Sequence, residues 1–341
     1  MSFSFFTSAR SKAPEEVIKA TKDSLMALDT QTVVDVKALE KALEDVEKNL
    51  ASLKFILSRD KEFDLSNKQI EQLVHEVCKE DILALMVHTL PNLGWQARKN
   101  LFHCWSMLLR ERVNSTHCCV DYLEHHLDLL DFLVVCHDNT EIAAGCGLIL
   151  RECIKFQKLA KYLLESPSFM LFFKFVESPT FDIASDAFST FRDLLTKHSE
   201  VVTGYLTSHF EEFFDLYGKL MMSSNYVTRR LSLKLLPDIL LEPQNSHLMK
   251  KYIVEVKYLN IMMASLEDPR KNIKLSTFHL FKVFVANPNK TPEIEHVIAN
   301  DHAKLLKCLD NLSPGKGAED EQFEEEKELI VEEIKRLSLY M

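Results

Sequence analysis

Histidine and cysteine, the side chains that most often bind zinc, are concentrated in one stretch of the chain. They occur in His117-Cys118-Cys119, in His125-His126 and in Cys136-His137. Ligands on a helix must be three or four residues apart to share a face, whereas adjacent residues point in different directions. We therefore interpret these residues as partly buried cysteines and surface histidines on helices, and we predict no metal ion and no cofactor.

Other chemical motifs are weak in this sequence. The segment Pro314-Gly315-Lys316-Gly317 contains a Gly-Lys pair. It lacks both the spaced first glycine and the following Ser/Thr of a phosphate-binding loop. We find no nucleophile elbow, zinc-protease helix, kinase catalytic set or EF-hand calcium loop. These absences predict a binding protein rather than an enzyme.

A row of residues near position 230 suits binding. Tyr226, Arg230 and Lys234 are four residues apart, so they would lie along one face of a helix. The apolar side chains that would pack inward beside them are Val227, Leu231 and Leu235. An aromatic ring, a guanidinium and an ammonium in one row suit a peptide that carries an aromatic residue and a carboxylate. A solvated helix face explains the same spacing, so both interpretations stay open on the residues alone.

Helices must position these residues, because the composition leaves little material for a sheet. The 341 residues include seven glycines and ten prolines, too few for the tight turns of β-sandwiches, barrels and glycine-rich nucleotide folds. The net charge of −10 argues against coating nucleic acid. No apolar run reaches the ~18 residues of a membrane span. We expect a cytoplasmic protein with reduced cysteines.

The helical pattern repeats along the chain. A basic residue in a similar apolar context recurs with steps of 41, 41, 42 and 48 residues, at Arg110, Arg151, Arg192, Lys234 and Lys282. A period near 40–47 is typical of armadillo and HEAT repeats. We predict an all-α, armadillo/HEAT-like, right-handed helical-repeat solenoid with about six to seven repeats, forming a single domain over residues 1–341. The repeated basic residue would bond a neighbouring repeat or, alternatively, line a concave face for a partner.

The ends of the chain depart from this pattern. We predict a flexible N-terminus at 1–14, a linker at 313–319 and an acidic helix at 320–339. The apolar stripe of that helix consists of Phe323, Ile330, Ile334 and Leu337. A thin stripe of this kind favours a capping helix with a solvated outer face, and the alternative is an acidic docking arm.

Five segments carry a family resemblance. They are Leu150–Ile154, Thr180–Phe188, Asn225–Thr228, Phe281–Thr291 and Glu319–Phe323. Through them the chain resembles, over nearly its whole length, the Mo-25 scaffold family, also called the calcium-binding protein 39 family. The resemblance implies an armadillo-like, non-catalytic scaffold that activates protein kinases. Members of this family bind sterile-20-group kinases and the STRAD pseudokinase through a concave surface. Fungal relatives act in cell polarity through NDR-type kinase signalling. Despite the family's older name, we predict no calcium.

The resemblance further implies a C-terminal pocket for a Trp-Glu-Phe-type tail of the partner. The residues at matching positions are Tyr226, Arg230, Lys234, Met263 and Phe181. Arg230 would pair with the glutamate of the tail, and Met263 and Phe181 would line the aromatic slots. We expect Arg230 and Met263 to be at least partly exposed.

The sequence departs from the family pattern in a few places. Leu240–Ser246 replaces a segment that carries an arginine and a phenylalanine in animal members, and Pro237 stands where a glycine is usual. The stretch 103–137, rich in cysteine and histidine, also differs. Two rival hypotheses remain beside the kinase scaffold, namely a generic armadillo/HEAT adaptor for non-kinase cargo and a metalloprotein or enzyme built on 103–137.

Overall fold

The computed structural model describes residues 13–29, 36–58, 66–312 and 318–339. These residues form twenty α-helices and no β-strand; one isolated antiparallel bridge joins Val113 to Thr116. In chain order the helices are α1 Pro14–Asp29, α2 Val36–Leu57, α3 Asn67–Lys79, α4 Ile82–Thr89, α5 Trp95–Arg110, α6 Cys118–Glu124, α7 Asp128–Val135, α8 Ala143–Cys153, α9 Gln157–Glu165, α10 Leu171–Phe175, α11 Phe181–Thr196, α12 Ser199–Ser208, α13 Phe210–Met221, α14 Tyr226–Leu240, α15 Ser246–Tyr252, α16 Val256–Leu266, α17 Lys271–Ala286, α18 Pro292–Asn300, α19 His302–Asp310 and α20 Ala318–Ser338. The prediction of an all-α, armadillo/HEAT-like repeat fold is confirmed.

The repeat is visible in where the long helices end. Each helix that carries the repeated basic residue ends 43, 43, 44 and 46 residues after the previous one, at Arg110, Cys153, Thr196, Leu240 and Ala286. The helix ends therefore recur every 43–46 residues, within the period of about 40–47 residues that is typical of armadillo and HEAT repeats.

The chain divides into two compact units, which are described separately. Unit 1 comprises Met1–Phe175 and Thr180–Leu194, and unit 2 comprises Val176–Pro179 and Leu195–Met341. In unit 1, α2 packs on α1 and α5, and α5 packs on α8. Trp105 of α5 is fully buried there. In unit 2, α17 packs on both α14 and α16, around an aromatic core in which the Tyr252 and Tyr258 rings stack 4.1 Å apart.

Three of the repeated basic residues form ion pairs with carboxylates of the following repeat. Arg110 Nη2 lies 3.2 Å from a Glu152 carboxylate oxygen, and Lys282 Nζ lies 2.6 Å from Glu326 Oε2. Arg151 Nη2 lies 2.7 Å from Asp186 Oδ1. For these residues the structure supports the bonding interpretation. Lys234 differs, because its side chain is exposed and forms no ion pair with any residue described here.

A glycine makes room for the Arg151–Asp186 pair. Asp186 is so close to α8 that a Cβ built on Gly147 would lie 1.8 Å from Asp186 Oδ2. Arg151 also donates from Nη1 to Thr190 Oγ1 at 2.8 Å, so the pair joins α8 to α11 within unit 1. The close approach of the two helices therefore depends on the missing side chain at position 147.

The ends of the chain largely follow the prediction. Helix α20 begins at Ala318, two residues earlier than predicted, and its stripe of Phe323, Ile330, Ile334 and Leu337 is buried. This burial is what a capping helix requires, and the capping role stays a prediction. The first helix begins at Pro14, inside the segment predicted to be flexible, while residues 1–12 and 313–317 lie outside the described residues.

Replacing Gly147 with alanine should destabilise the protein. The added Cβ must displace the Asp186 carboxylate, and overpacking of this kind costs about 1–3 kcal/mol of unfolding free energy. Gly204 of α12 is the matched control, because nothing lies within 4 Å of a Cβ built there. Gly204→Ala should leave stability unchanged or raise it by up to ~1 kcal/mol, since alanine favours the helix. Urea unfolding of both variants checks the prediction, and equal effects from the two would contradict it.

Candidate functional site

Helix α14 carries the row predicted to bind a peptide, and its start is firmly fixed. The Asn225 side chain caps the helix by accepting from the backbone N–H groups of Val227 and Thr228, at 3.0 and 3.4 Å. Thr228 Oγ1 donates to the Val176 carbonyl oxygen at 2.7 Å. Tyr226 therefore lies in the first turn of a helix whose N-terminus is fixed by the Asn225 cap and by the hydrogen bond from Thr228.

The three predicted residues on α14 lie four residues apart and reach solvent to different degrees. Tyr226 is half-buried, and Arg230 and Lys234 are exposed. Neither cation forms a hydrogen bond or ion pair with any residue in the described part of the chain. The predicted buried stripe beside them is only partly correct. Leu235 is buried, but Val227 and Leu231 are half-buried, and the small side chains of Thr228 and Ser232 turn inward instead.

The Tyr226 ring contacts two residues that sequence reasoning missed. The Arg270 guanidinium lies over it, with the central carbon 4.9 Å from the ring centroid. Asn272 Nδ2 donates to the Tyr226 hydroxyl at 3.4 Å. A guanidinium over an aromatic face is attracted by the electron density of the ring. Tyr226 is thus held from the start of α17, and the row on α14 is supported by a second repeat.

Asp268, in the turn before α17, organises the cations around Tyr226. Its side chain is 3% exposed. Arg270 donates to it from Nε at 2.7 Å, from Nη2 at 2.6 Å and from the backbone N–H at 2.9 Å. Arg229 Nη1 lies 3.0 Å from the same carboxylate. The hydrogen bonds from Arg270 and the charge of Arg229 lower the pKa of Asp268 to about 2. One buried anion therefore balances two arginines.

Adjacent arginines on α14 consequently have different roles. Arg229 is largely buried, bound to Asp268 and within 3.3 Å of Ser265 Oγ on α16. Arg230 points to solvent without a partner in the described chain. Arg229 therefore bonds residues of the neighbouring repeat, while the charge of Arg230 is available to another molecule.

The remaining predicted residues lie on other helices. Met263, on α16, is only 8% exposed, so the expectation that it would be partly exposed is wrong. The helix that carries it, α16, packs against α17 and α13. Phe181 begins α11 and is 63% exposed, an unusual degree for a phenylalanine. It belongs to unit 1, whereas the other four belong to unit 2.

The segment that departs from animal family members is an exposed turn with an internal anchor. Leu241 is 52% exposed, and Pro243–Asn245 form a short 3-10 helix. The Asn245 side chain is buried, donates to the Ile239 carbonyl oxygen at 2.7 Å and accepts from Thr203 Oγ1 at 2.5 Å. Asn245 therefore fixes the turn, and Leu241 is left on its surface.

The histidines of 117–137 contact backbone carbonyl groups that lie three to eight residues earlier in the chain. His125 and His126 each contact the carbonyl oxygen four residues earlier through Nδ1. His137 is buried, and its burial lowers its pKa. Within the described ranges no group of three or more His, Cys, Asp or Glu side chains could hold a metal ion. All eight cysteines are free thiols. In the same ranges, no helix combines the length and hydropathy needed to cross a membrane.

The stacked helices define an all-α repeat protein. One of them, α14, presents two cations that have no partner in the part of the chain that the structure describes, and it is a candidate peptide-binding face. Comparison with known proteins then gives the family. The sequence pattern of the Mo25-like family matches residues 4–338, and the chain belongs to that family. The predicted resemblance is therefore confirmed.

Relatives in plants, animals and fungi align over nearly the whole chain. A putative MO25-like protein of Arabidopsis thaliana is 38% identical over 97% of both chains. The human calcium-binding protein 39-like is 37% identical over 96% of this chain and 95% of its own. The Mo25-like protein of Schizosaccharomyces pombe is 36% identical over 98% and 100%.

Two engineered proteins are among the solved structures that resemble this chain. An engineered protein superposes with a TM-score of 0.50 and 14% identity over 94% of this chain and 71% of its own. A designed armadillo repeat protein gives a TM-score of 0.43 and 11% identity over 80% and 100%.

Removing the charge of Asp268 should destabilise the protein in a pH-dependent way. Asp268→Asn leaves two arginines without their buried anion, and we expect a loss of ~2–3 kcal/mol of unfolding free energy near pH 7. Because the folded-state pKa of Asp268 is lowered to about 2, the carboxylate stabilises the fold above its unfolded pKa of ~3.9. That contribution disappears as the pH falls through about 2.

The difference in unfolding free energy between wild type and Asp268→Asn should therefore be largest at neutral pH and smaller in acid. Thermal and urea unfolding at a series of pH values measure it. Asp238→Asn is the control, because Asp238 lies exposed on the same helix as Arg229. A gap that is independent of pH, or an equal effect at Asp238, would contradict the assigned role.

Proposed function

We propose that this protein is a non-catalytic, cytoplasmic scaffold that binds and activates protein kinases or pseudokinases. The expected partners are of the sterile-20-group and STRAD type, with NDR-type morphogenesis signalling as the setting. Membership in the Mo25-like family supports a scaffold role. The observation that carries the proposal is that Arg230 and Lys234 are exposed and have no partner among the described residues, on a helix that is otherwise fixed on several sides.

The face of α14 suits a short tail that contains aromatic residues and a carboxylate, such as one ending in Trp-Glu-Phe. Arg230 would form charge-assisted hydrogen bonds to the glutamate, and Lys234 would add a second positive charge one turn away. Since Asp268 already balances Arg229 and Arg270, it does not compete for Arg230. The positive charge of the row is therefore available for the ligand.

Two apolar residues of the predicted set remain part of the proposal, and each is considered within its own unit, Phe181 in unit 1 and Met263 in unit 2. Phe181 exposes most of its ring, which suits an aromatic side chain of the tail. Met263, at 8% exposure, would serve as the floor of a slot, offering its polarisable thioether to a ring. The proposal retains a second contact with the kinase domain through the concave surface expected of a repeat array, and it involves no nucleic acid, metal or membrane insertion.

Loss of the Arg230 charge should lower the affinity for the tail peptide without lowering the stability of the fold. Charge-assisted hydrogen bonds are typically worth ~1.5–3 kcal/mol, so Arg230→Ala should reduce the affinity for a peptide ending in Trp-Glu-Phe by roughly tenfold or more. Arg230→Glu should reduce it further, because it adds repulsion. Fluorescence anisotropy with labelled peptide measures the affinity, and thermal unfolding of the same samples should show little change.

Two controls make this result specific. Lys307→Ala removes an exposed cation on α19 and should leave affinity unchanged. A Trp-Gln-Phe peptide lacks the carboxylate, so wild type and Arg230→Ala should bind it almost equally. If Arg230→Ala lowers the affinity for both peptides to the same extent, Arg230 does not recognise the glutamate side chain. Met263→Ala should also weaken both peptides, but through lost apolar contact.

The alternative function is a repeat-protein adaptor for cargo other than kinases. A purified sterile-20-group kinase with an intact tail distinguishes the two. Under the proposal, phosphate transfer to a generic substrate rises when the protein is added and falls back with Arg230→Glu. Tight tail binding without a rise in kinase activity would favour the adaptor.

A further inference from the structure

Two thiols in unit 1 face each other across adjacent repeats. Cys78 lies in the last turn of α3 and Cys119 in the first turn of α6, and their sulfur atoms are 3.7 Å apart. The residues are 41 positions apart, which is close to one repeat of the chain. A disulfide has an S–S distance of ~2.05 Å, so bond formation requires only a small approach of atoms already in contact.

A neighbouring hydrogen bond holds the two thiols in this register. Tyr122 Oη, on the same helix as Cys119, donates to Asp81 Oδ1 at 2.8 Å. Asp81 follows Cys78 by three residues, and Tyr122 follows Cys119 by three. The thiol pair and the Tyr122–Asp81 hydrogen bond therefore lie next to each other and connect the same two segments of the chain. Because α3 packs against α6 and the second pair fixes their offset, the meeting of the thiols is a property of the fold.

The two thiols differ in a way that suits stepwise oxidation. Cys78 is half-buried and can be reached by a small oxidant, whereas Cys119 is fully buried. The hydrogen bond from Cys119 lowers the pKa of Cys78, which increases the share of the reactive thiolate. By contrast, Cys104 is fully buried and its thiol contacts the Leu50 carbonyl oxygen at 3.6 Å.

We propose that Cys78 and Cys119 are a peroxide-oxidisable dithiol, whose disulfide links α3 to α6. The Cys78 thiolate attacks one oxygen of hydrogen peroxide, the O–O bond breaks, and Cys78 becomes a sulfenic acid while hydroxide leaves and takes up a proton to form water. The Cys119 sulfur then attacks the Cys78 sulfur, the S–O bond breaks, and a second water leaves with the Cys119 proton. Two thiols are oxidised to one disulfide, and one peroxide is reduced to two waters.

The link would close the segment between the two cysteines and restrict the unfolded chain. A closed loop of about 40 residues raises stability through the lost entropy of the unfolded state. The oxidised protein should therefore melt several degrees higher than the reduced one. A small thiol reductant returns the two electrons and restores the starting state.

The experiment uses the full chain carrying Cys136→Ser, because Cys136 and Cys146 form a second interacting thiol pair, in which a hydrogen bond with Cys146 lowers the pKa of Cys136. Folded protein is treated with hydrogen peroxide, blocked with an alkylating agent and analysed by intact mass and peptide mapping. We expect a loss of two hydrogen atoms, a peptide joining Cys78 to Cys119, and full reversal by dithiothreitol.

Matched variants test the assignment. Cys78→Ser and Cys119→Ala should each abolish the link, while Cys118→Ser should retain it, since the Cys118 sulfur faces Thr116 Oγ1 at 3.7 Å instead. In Cys119→Ala the sulfenic acid on Cys78 should persist and be trapped by dimedone. Circular dichroism confirms that each variant is folded.

Oxidation that leaves Cys78 and Cys119 unlinked in folded protein would overturn the proposal. So would a link that requires denaturant, or one that Cys118→Ser also abolishes. A melting temperature that does not rise on oxidation would contradict the expected stabilising effect of the cross-link.

Discussion

A helix pair in this chain has more apolar surface than it can bury by itself, so each repeat depends on its neighbours. The consequence is a recurring set of side-chain contacts between residues about 40 positions apart. Thr203 donates to Asn245, Lys257 pairs with Asp215, and Lys290 pairs with Glu333 at 2.5, 2.7 and 2.7 Å. Apolar stacking supplies most of the stabilisation, while these polar contacts set the offset at which neighbouring repeats pack.

The surroundings of Tyr226 follow from the same constraint. Because α14 and α17 are fixed against each other, Asp268 lies where it can neutralise both Arg229 and Arg270. A buried carboxylate with two arginines would be costly if one partner were missing, so this arrangement is rigid. The rigidity matters for Arg230. Helix α14 loses little conformational entropy when a ligand binds, so ordering of the site offsets less of the interaction free energy.

Sequence reasoning identified the elements of the fold more reliably than the contacts between them. Helical periodicity and the recurring basic residue gave the all-α repeat, because both depend on local spacing. The Arg270–Tyr226 contact was missed since it depends on how Asp268-Pro269 turns the chain into α17, which spacing does not encode. The burial of Met263 was misjudged for a related reason: its exposure depends on the packing of α16, whereas the resemblance concerned residue identity.

The cysteines show what sequence reasoning could have found. Sequence reasoning considered the cysteines only as possible metal ligands that lie close together in the chain. In a repeat protein the informative separation is one whole repeat, since it brings residues together whatever their type. Cys78 with Cys119 and Asp81 with Tyr122 share the same separation of 41 residues. Scanning a repeat sequence for complementary side chains one period apart therefore predicts contacts between neighbouring repeats. It would have indicated this dithiol before any coordinates were known, because the step of 41 was already visible in the basic residues.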